Sequence, residues 1–196
     1  LSTGTRGGRC AAALLASAES QSLPPLAFHG NATRFGQLLA NGVPFSLKGV
    51  TWPGLETELT APLGLDKHSV DHYLSIIQSH GFNAVRFGFD HHRILEGKIT
   101  PESDALAYAP ELSLLPYHHM LLTLAKAAAR RGLLVVFACD RLYADKPAGH
   151  KESGLWYSPS ITEELSLKSW KRLAHLACGQ WNVIGVDLFS QPYKAS

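Results

Sequence analysis

The 196 residues are 45% hydrophobic and 17% charged, the balance of a globular chain with enough apolar side chains for a sizeable core. A net charge of +2, with Lys and Arg scattered and no basic stripe, argues against nucleic acid as a partner. No apolar run approaches the roughly 20 residues that span a bilayer, so no membrane partner is expected. The cysteines, Cys10, Cys139 and Cys178, are odd in number and lack CxxC spacing. That pattern argues against a disulfide scaffold or a zinc site and suits cysteine acting as a small hydrophobe.

The first residue is leucine, and Arg6 and Arg9 precede the short apolar run Ala11 to Leu15, followed by Ala16-Ser17-Ala18. Basic, then apolar, then small-x-small resembles the tail of a secretory signal and points to a secreted chain; an Ala-rich disordered leader is the alternative. Residues 1 to about 25 are expected outside the fold, and 26–196 form the domain. Between Ala27 and Leu47, Asn41-Gly42 is the strongest short hairpin signal and predicts a small β-hairpin ahead of the main sheet.

A regular alternation follows. Ser46 to Thr51 is a strand ended by Trp52-Pro53-Gly54. Ser69 caps a helix through Ser79, with Val70, Tyr73, Leu74, Ile76 and Ile77 at helical spacing and Gly81 past its end. Asn83 to Gly88 is the second strand, and a polar segment runs from Asp90 to Pro110. A long helix then covers roughly Leu115 to Arg131 and closes on Gly132. Leu133 to Cys139 is the third strand. After a loop rich in Gly and Pro, a helix from about Thr162 to Cys178 turns Leu165, Trp170, Leu173, Ala174 and Ala177 inward. Val183 to Leu188 is the fourth strand, ending in the polar tip Ser190-Gln191-Pro192. Apolar strands alternating with helices are the mark of a parallel βαβ array. The first strand is followed by no Gly-rich phosphate loop, which favours part of a (β/α)8 barrel over a dinucleotide fold.

Four segments in order resemble glycoside hydrolase family 5, the cellulase family of retaining glycosidases. Gly49-Val50-Thr51-Trp52-Pro53-Gly54-Leu55-Glu56-Thr57 is similar to its first strand and loop, and Gly81-Phe82-Asn83-Ala84-Val85-Arg86 to its second strand. Gly132-Leu133-Leu134-Val135-Val136 with Gly154-Leu155-Trp156-Tyr157 resembles the third strand and its loop. Trp181 to Leu188 resembles the fourth strand, which in the family continues as Asn-Glu-Pro. The resemblance spans about residues 34 to 196. It implies a (β/α)8 barrel, of which only about the first four βα units are present, and a β-linked glucan or other polysaccharide as partner. It implies no cofactor and no metal.

The same resemblance assigns the site. Arg86 matches the arginine that supports the catalytic carboxylates. Gln191 stands where the family carries its general acid/base, Ser190 where an asparagine holds the sugar 2-hydroxyl, and Asp140 where the third strand ends in histidine. An amide has no proton to give at a usable pKa, so Gln191 cannot protonate a leaving oxygen. The nucleophile, a second carboxylate roughly 5–5.5 Å from the first, comes in the family from the seventh strand. The chain is therefore expected to be a truncated, catalytically degenerate form, completed by a partner or by the C-terminal half of a longer gene product. A binding or structural protein using the barrel face or its open strand edges is the alternative.

Trp52, Trp156 and Tyr157 fall in loops after strands, where they would stack on sugar or else pack the rim. Glu56 is a substrate-binding candidate, and Glu56 and Asp90 are the carboxylates placed to replace a lost acid. Asp187 is read as making an internal structural hydrogen bond. His91-His92 and His118-His119 point in different directions as neighbours, and His68 and His72 have ligand spacing without a third ligand, so neither set predicts a metal.

Overall fold

The computed structural model describes residues 28–31, 37–100, 102–143 and 154–192. The chain enters through a three-stranded antiparallel sheet of β1 (Phe28–Asn31), β2 (Gln37–Ala40) and β3 (Val43–Pro44). Ala40 lies opposite Val43, and the two residues between them, Asn41 and Gly42, have φ of 50° and 80°. Left-handed backbone at both positions is what a two-residue turn between right-twisted strands requires, so the expected hairpin is present, with β1 added to it. The expected leader, residues 1 to 25, lies outside the described residues.

The second sheet is parallel, with β4 (Gly49–Trp52), β5 (Ala84–Asp90), β6 (Leu134–Arg141) and β7 (Val183–Asp187) side by side in that order. The helices are α1 (Val70–Ser79), α2 (His91–Glu96), α3 (Tyr117–Arg130) and α4 (Glu163–Ala177). Successive right-handed crossovers put α1, α3 and α4 on one face of such a sheet. Alternate strand residues meet them there: Trp52, Val85, Phe87, Phe89, Val135, Phe137 and Cys139 share one core with Leu74, Leu121, Leu124 and Leu173. Burying one such Leu or Phe side chain is worth about 1.5–3 kcal/mol. On the opposite face, the register lines up Thr51, Arg86, Val136 and Gly185, and beyond them Gly88, Ala138 and Asp187.

Helices α1 and α4 begin where a side chain provides a cap, whereas α3 follows Pro116 without one. The Ser69 and Thr162 side chains accept from the backbone N–H groups of His72 (3.2 Å) and Leu165 (3.3 Å). Glu163 and Glu164 add negative charge to the first turn of α4. Gly81 and Gly132, at φ of 78° and 68°, end the α1 and α3 segments.

Four details differ from the sequence-based expectation. β4 starts at Gly49 rather than Ser46 because Asn83 takes up the preceding backbone: its Oδ1 accepts from Lys48 N–H and its Nδ2 donates to the Ser46 carbonyl, both at 2.8 Å. The segment after β5 opens with α2 instead of irregular chain, since the Asp90 carboxylate caps it by accepting from Arg93 N–H at 2.8 Å. On α4 the inward positions include Ser166 and Ser169, while Ala174 is exposed. Ser166 donates to the Trp156 carbonyl (2.9 Å) and Ser169 bonds His91 Nδ1 (2.8 Å), so both hydroxyls are satisfied inside. Finally, Cys178 is disulfide-bonded, and only Cys139 is free among the described residues. The picture of cysteine as a small buried hydrophobe fits Cys139 alone, whose thiol pKa is pushed up by burial and then by the nearby Asp140 charge.

Asn182 fixes the entry to β7. It is buried, donates from Nδ2 to the carbonyls of Ala125 (3.0 Å) and Leu133 (2.8 Å), and accepts from Gln180 Nε2 (2.8 Å). One side chain thus ties β7 to the middle of α3 and to the residue before β6.

Candidate functional site

A cleft of about 520 Å³ opens at the carboxyl ends of the parallel strands, where barrel and open α/β folds carry their sites. Thr51 of β4, Glu56 of the loop after it and Arg86 of β5 form part of its lining. Asp140 and Arg141 of β6, Asp187 of β7, and Ser190 and Gln191 beyond β7 complete it. The tip is tied to the sheet because Ser190 N–H donates to the Cys139 carbonyl at 2.8 Å.

Arg86 is the hub. Its Nη1 donates to Asp140 Oδ2 at 3.1 Å while Nη2 bonds the other Asp140 oxygen, a two-point pairing that fixes both planes. Nη2 also reaches Asp187 Oδ2 at 3.2 Å and the Ser190 hydroxyl, and that hydroxyl donates to Asp187 Oδ2 at 2.5 Å. Burial works against the Arg86 charge. The hydrogen bonds and charges of Asp140, and then of Asp187, outweigh it and hold the guanidinium pKa above its ordinary value.

The Asp140 carboxylate rests against backbone without a side chain. A Cβ added at Gly88 would lie 2.1 Å from Asp140 Oδ2 and 3.2 Å from Glu56 Oε2. Glycine at 88 therefore makes room for two carboxylates on one strand. Glu56 is steadied by Gly54, whose N–H donates to its Oε2 at 2.9 Å. Gly54 has φ of 125°, and a Cβ there would stand 2.3 Å from the Ala61 carbonyl oxygen, so this turn requires glycine.

The chemistry available follows from these pairings. Asp140 and Asp187 are engaged with Arg86, and Gln191 brings an amide with two donors and one acceptor but no transferable proton. Gln191 also has φ of 54°, a left-handed conformation uncommon for this residue type. The cleft is a polar surface of alternating donors and acceptors, suited to a polyhydroxyl ligand.

Of the residues singled out from sequence, Arg86 bonds both Asp140 and Ser190, and Glu56 and Gln191 line the same cleft. Trp52 is elsewhere. It is 6% exposed, its indole N–H donates to the Leu63 carbonyl at 2.9 Å, and its ring packs 5.3 Å from Tyr73 and 6.1 Å from Phe87. Because Thr51 faces the cleft, the next residue on the strand must face the helices. Trp156 and Tyr157 lie edge to face at 5.4 Å in the segment leading into α4; Trp156 is 47% exposed, and neither lines the cleft. Asp90 is fully buried as the α2 cap and ion-pair partner of Arg93 (3.3 Å), so it is no substitute acid.

Asp187 makes internal hydrogen bonds as expected, accepting from Arg86 Nη2 and Ser190 Oγ, and it also belongs to the site. Its carboxylate lines the cleft, and the signal was parity: it stands two residues after Gly185, on the face that Arg86 occupies. Arg141 lines the cleft as well, at a position where a single sequence shows only a loop start. Within each adjacent histidine pair the first residue is the more buried, although the rings of His118 and His119 lie 4.8 Å apart. His91 and His118 are buried, while the rings of His68 and His72 stack at 4.2 Å. Among the described residues no group of three or more His, Cys, Asp or Glu could hold a metal ion, and no helix is long and apolar enough to cross a membrane.

No family model matches the sequence. An endoglucanase of Paenibacillus polymyxa is 28% identical over 153 residues, 78% of this chain and 37% of its own length. The hyperthermophilic endocellulase of Pyrococcus horikoshii superposes with a TM-score of 0.72 at 28% identity, covering 86% of this chain and 44% of that structure. A complex of that endocellulase with cellotetraose gives 0.70 at 26% identity, over 87% and 45%. The catalytic domain of the major endoglucanase of Xanthomonas campestris pv. campestris gives 0.65 at 28%, over 78% and 42%. The fold is thus cellulase-like, of the glycoside hydrolase family 5 type, and the chain spans less than half the length of these relatives.

Proposed function

We propose that the chain is a glycoside hydrolase family 5-like protein whose cleft holds β-linked glucan without hydrolysing it. The substrate class follows from the endoglucanase and endocellulase relatives and from a strand-end cleft rich in paired polar groups. The observation that carries the loss of turnover is Gln191, at the strand tip where the resemblance expects the proton donor. Retaining hydrolysis needs an acid that gives a proton to the leaving oxygen and a carboxylate that attacks the sugar carbon from the other side. Gln191 cannot be the first. Asp140 and Asp187, engaged with Arg86, are poor choices for the second.

The described residues carry four parallel strands of a fold that closes with eight, so this reading also needs further strands to complete the barrel. Trp156, exposed beside Tyr157, is the aromatic left to contact a long glucan at the margin. A secreted location fits the disulfide at Cys178, since such bonds persist in oxidising compartments.

The test is incubation of the purified chain with soluble β-glucan, following reducing ends and co-sedimentation with insoluble glucan in parallel. Retention on glucan with no reducing ends above the buffer control is expected. Hydrolysis that persists in Gln191→Ala would show that another residue is the acid. A non-catalytic structural role is the second reading, favoured by the exposed apolar side chains of Val186 and Leu188; absence of any glucan retention would select it.

A further inference from the structure

A second cavity, of about 270 Å³, shares no lining residue with the strand-end cleft. Its walls are the loop after β4, which supplies Glu58 and Thr60, and the segment between α2 and α3, which supplies Lys98, Ile99 and Thr100. The buried Arg93 and Tyr117 form its floor. Backbone bonds fix both walls. Thr100 N–H donates to the Leu115 carbonyl, the Thr100 carbonyl accepts from Leu114 N–H, and Tyr117 N–H donates to the Lys98 carbonyl, each at 2.9 Å. On the other side, Thr60 N–H donates to the Thr57 carbonyl at 3.1 Å, and that carbonyl also accepts from Arg93 Nη1. The Tyr117 hydroxyl donates to the Leu55 carbonyl at 2.8 Å and so joins the floor to the loop.

One polar group in this frame is left over. Thr100 is 3% exposed and lines the cavity, and its hydroxyl has no hydrogen-bond partner among the described residues. Native structures rarely keep a buried hydroxyl unpaired. A single bridging water would pair it, but the space equals about nine waters' share of liquid volume, far more than that role needs. The charges around the cavity cancel. Arg93 is paired with Asp90 at 3.3 Å, and the exposed Lys98 and Glu58 bring one charge of each sign. A phosphate or carboxylate drawn by Lys98 would meet the charge of Glu58, so an uncharged ligand is favoured. Lys98 offers donors alone, Glu58 acceptors alone and the Thr100 hydroxyl both, while Ile99, 57% exposed, adds an apolar wall. That combination suits the hydroxyls and C–H face of a sugar, and the volume admits one ring rather than a chain. We propose that this cavity binds a single uncharged hexopyranose, with the Thr100 hydroxyl, Lys98 and Glu58 as its polar partners. The site does not rest on the glucan reading of the cleft, although the two share a loop: Glu56 lines the cleft and Glu58 the cavity.

The experiment is amide NMR of the disulfide-intact chain titrated in turn with glucose, galactose, mannose and inorganic phosphate. At least one hexose is expected to saturate at about millimolar concentration, the ordinary level for so small a ligand, and to shift the amides of residues 58–60 and 98–100. Thr100→Val removes the hydroxyl at nearly constant volume and is expected to weaken that hexose about tenfold, the effect of one buried hydrogen bond. The hydroxyl has no protein partner to lose, so this variant should unfold at a temperature no lower than the parent. Glu58→Gln, at an exposed position, repeats the test without touching the interior and is expected to weaken the hexose several-fold. No saturable hexose shift at these amides, saturation there by phosphate alone, or hexose binding indifferent to either substitution would each overturn the proposal. Glucan retention by Thr100→Val is expected to match the parent, so failure of the cleft reading and failure of this one are read apart.

Discussion

Gly88→Ala is the sharpest probe of how the cleft is built. The backbone at 88 lies outside the left-handed region, so alanine adopts it freely and, by restricting the unfolded chain, would on its own stabilise by about 0.4–1 kcal/mol. The new methyl, however, would stand 2.1 Å from Asp140 Oδ2 and 3.1 Å from its Cγ. Relief requires the carboxylate to move by about an ångström or more, since ordinary carbon–oxygen contact lies near 3.2 Å or beyond, and Asp140 cannot move without breaking its two-point pairing with Arg86. Hydrogen bonds to charged groups contribute about 1.5–3 kcal/mol when buried; with Arg86 and Asp140 about a fifth to a quarter exposed, roughly 2 kcal/mol is the discounted loss. The net expectation is destabilisation of about 1–2 kcal/mol, a fall of a few degrees in Tm for a chain of this size. Urea unfolding of the parent, Gly88→Ala, Asp140→Ala and the double variant measures it as a cycle. The account predicts that the Gly88→Ala penalty vanishes once Asp140 is alanine. An undiminished penalty in that background, or a Gly88→Ala variant as stable as the parent, would refute the placement of Asp140.

Other expectations concern the frame around the site. Gly54→Ala combines a φ of 125° with a Cβ 2.3 Å from backbone oxygen, and should cost at least about 2 kcal/mol in thermal unfolding while displacing Glu56. Trp52→Ala should cost about 3–5 kcal/mol as a core truncation, whereas Trp156→Ala, at an exposed ring, should fall within about 0.5 kcal/mol; a reversed order would contradict the burial described. Burial lowers the His91 pKa from 6.5 to about 4. The folded value lies below the unfolded one, so the unfolded chain takes up the proton first, and the stability from neutral His91 is full above pH 6.5 and lost as pH falls toward 4. The loss is on the order of 3 kcal/mol, and denaturant titrations across that window should show a shallower slope for His91→Gln.

Much of this architecture was legible because it depends on periodicity. The apolar strands and the helical spacing of Val70 and Leu74 announce buried faces, and Asn41-Gly42 announces its turn. What escaped depends on parity and on single hydrogen bonds. The residue after Thr51 was taken for the start of a loop, yet one more residue of strand turns Trp52 toward the helices and removes it from the ligand side. Asp187 makes the internal hydrogen bonds expected of it, and only its parity with Gly185 tells that they face Arg86 and the cleft. The six residues of α2 are too few to show a period, and its cap, Asp90, was taken for a site carboxylate because the buried Arg93 that holds it lies three residues on and carries no sequence signal. The cysteines misled through their odd count, which says nothing of which of them pair.

Under the proposed function the polar cleft binds glucan and, with Gln191 at the strand tip, lacks the acid. Calorimetric titration of the purified chain with cellotetraose, followed by mass analysis of the recovered sugar, tests both halves together. The prediction is saturable heat, diminished in the Gln191→Ala variant that removes the amide from the cleft, and tetrasaccharide recovered intact. Shortened sugar from the parent, or no saturable heat at millimolar cellotetraose, would contradict it.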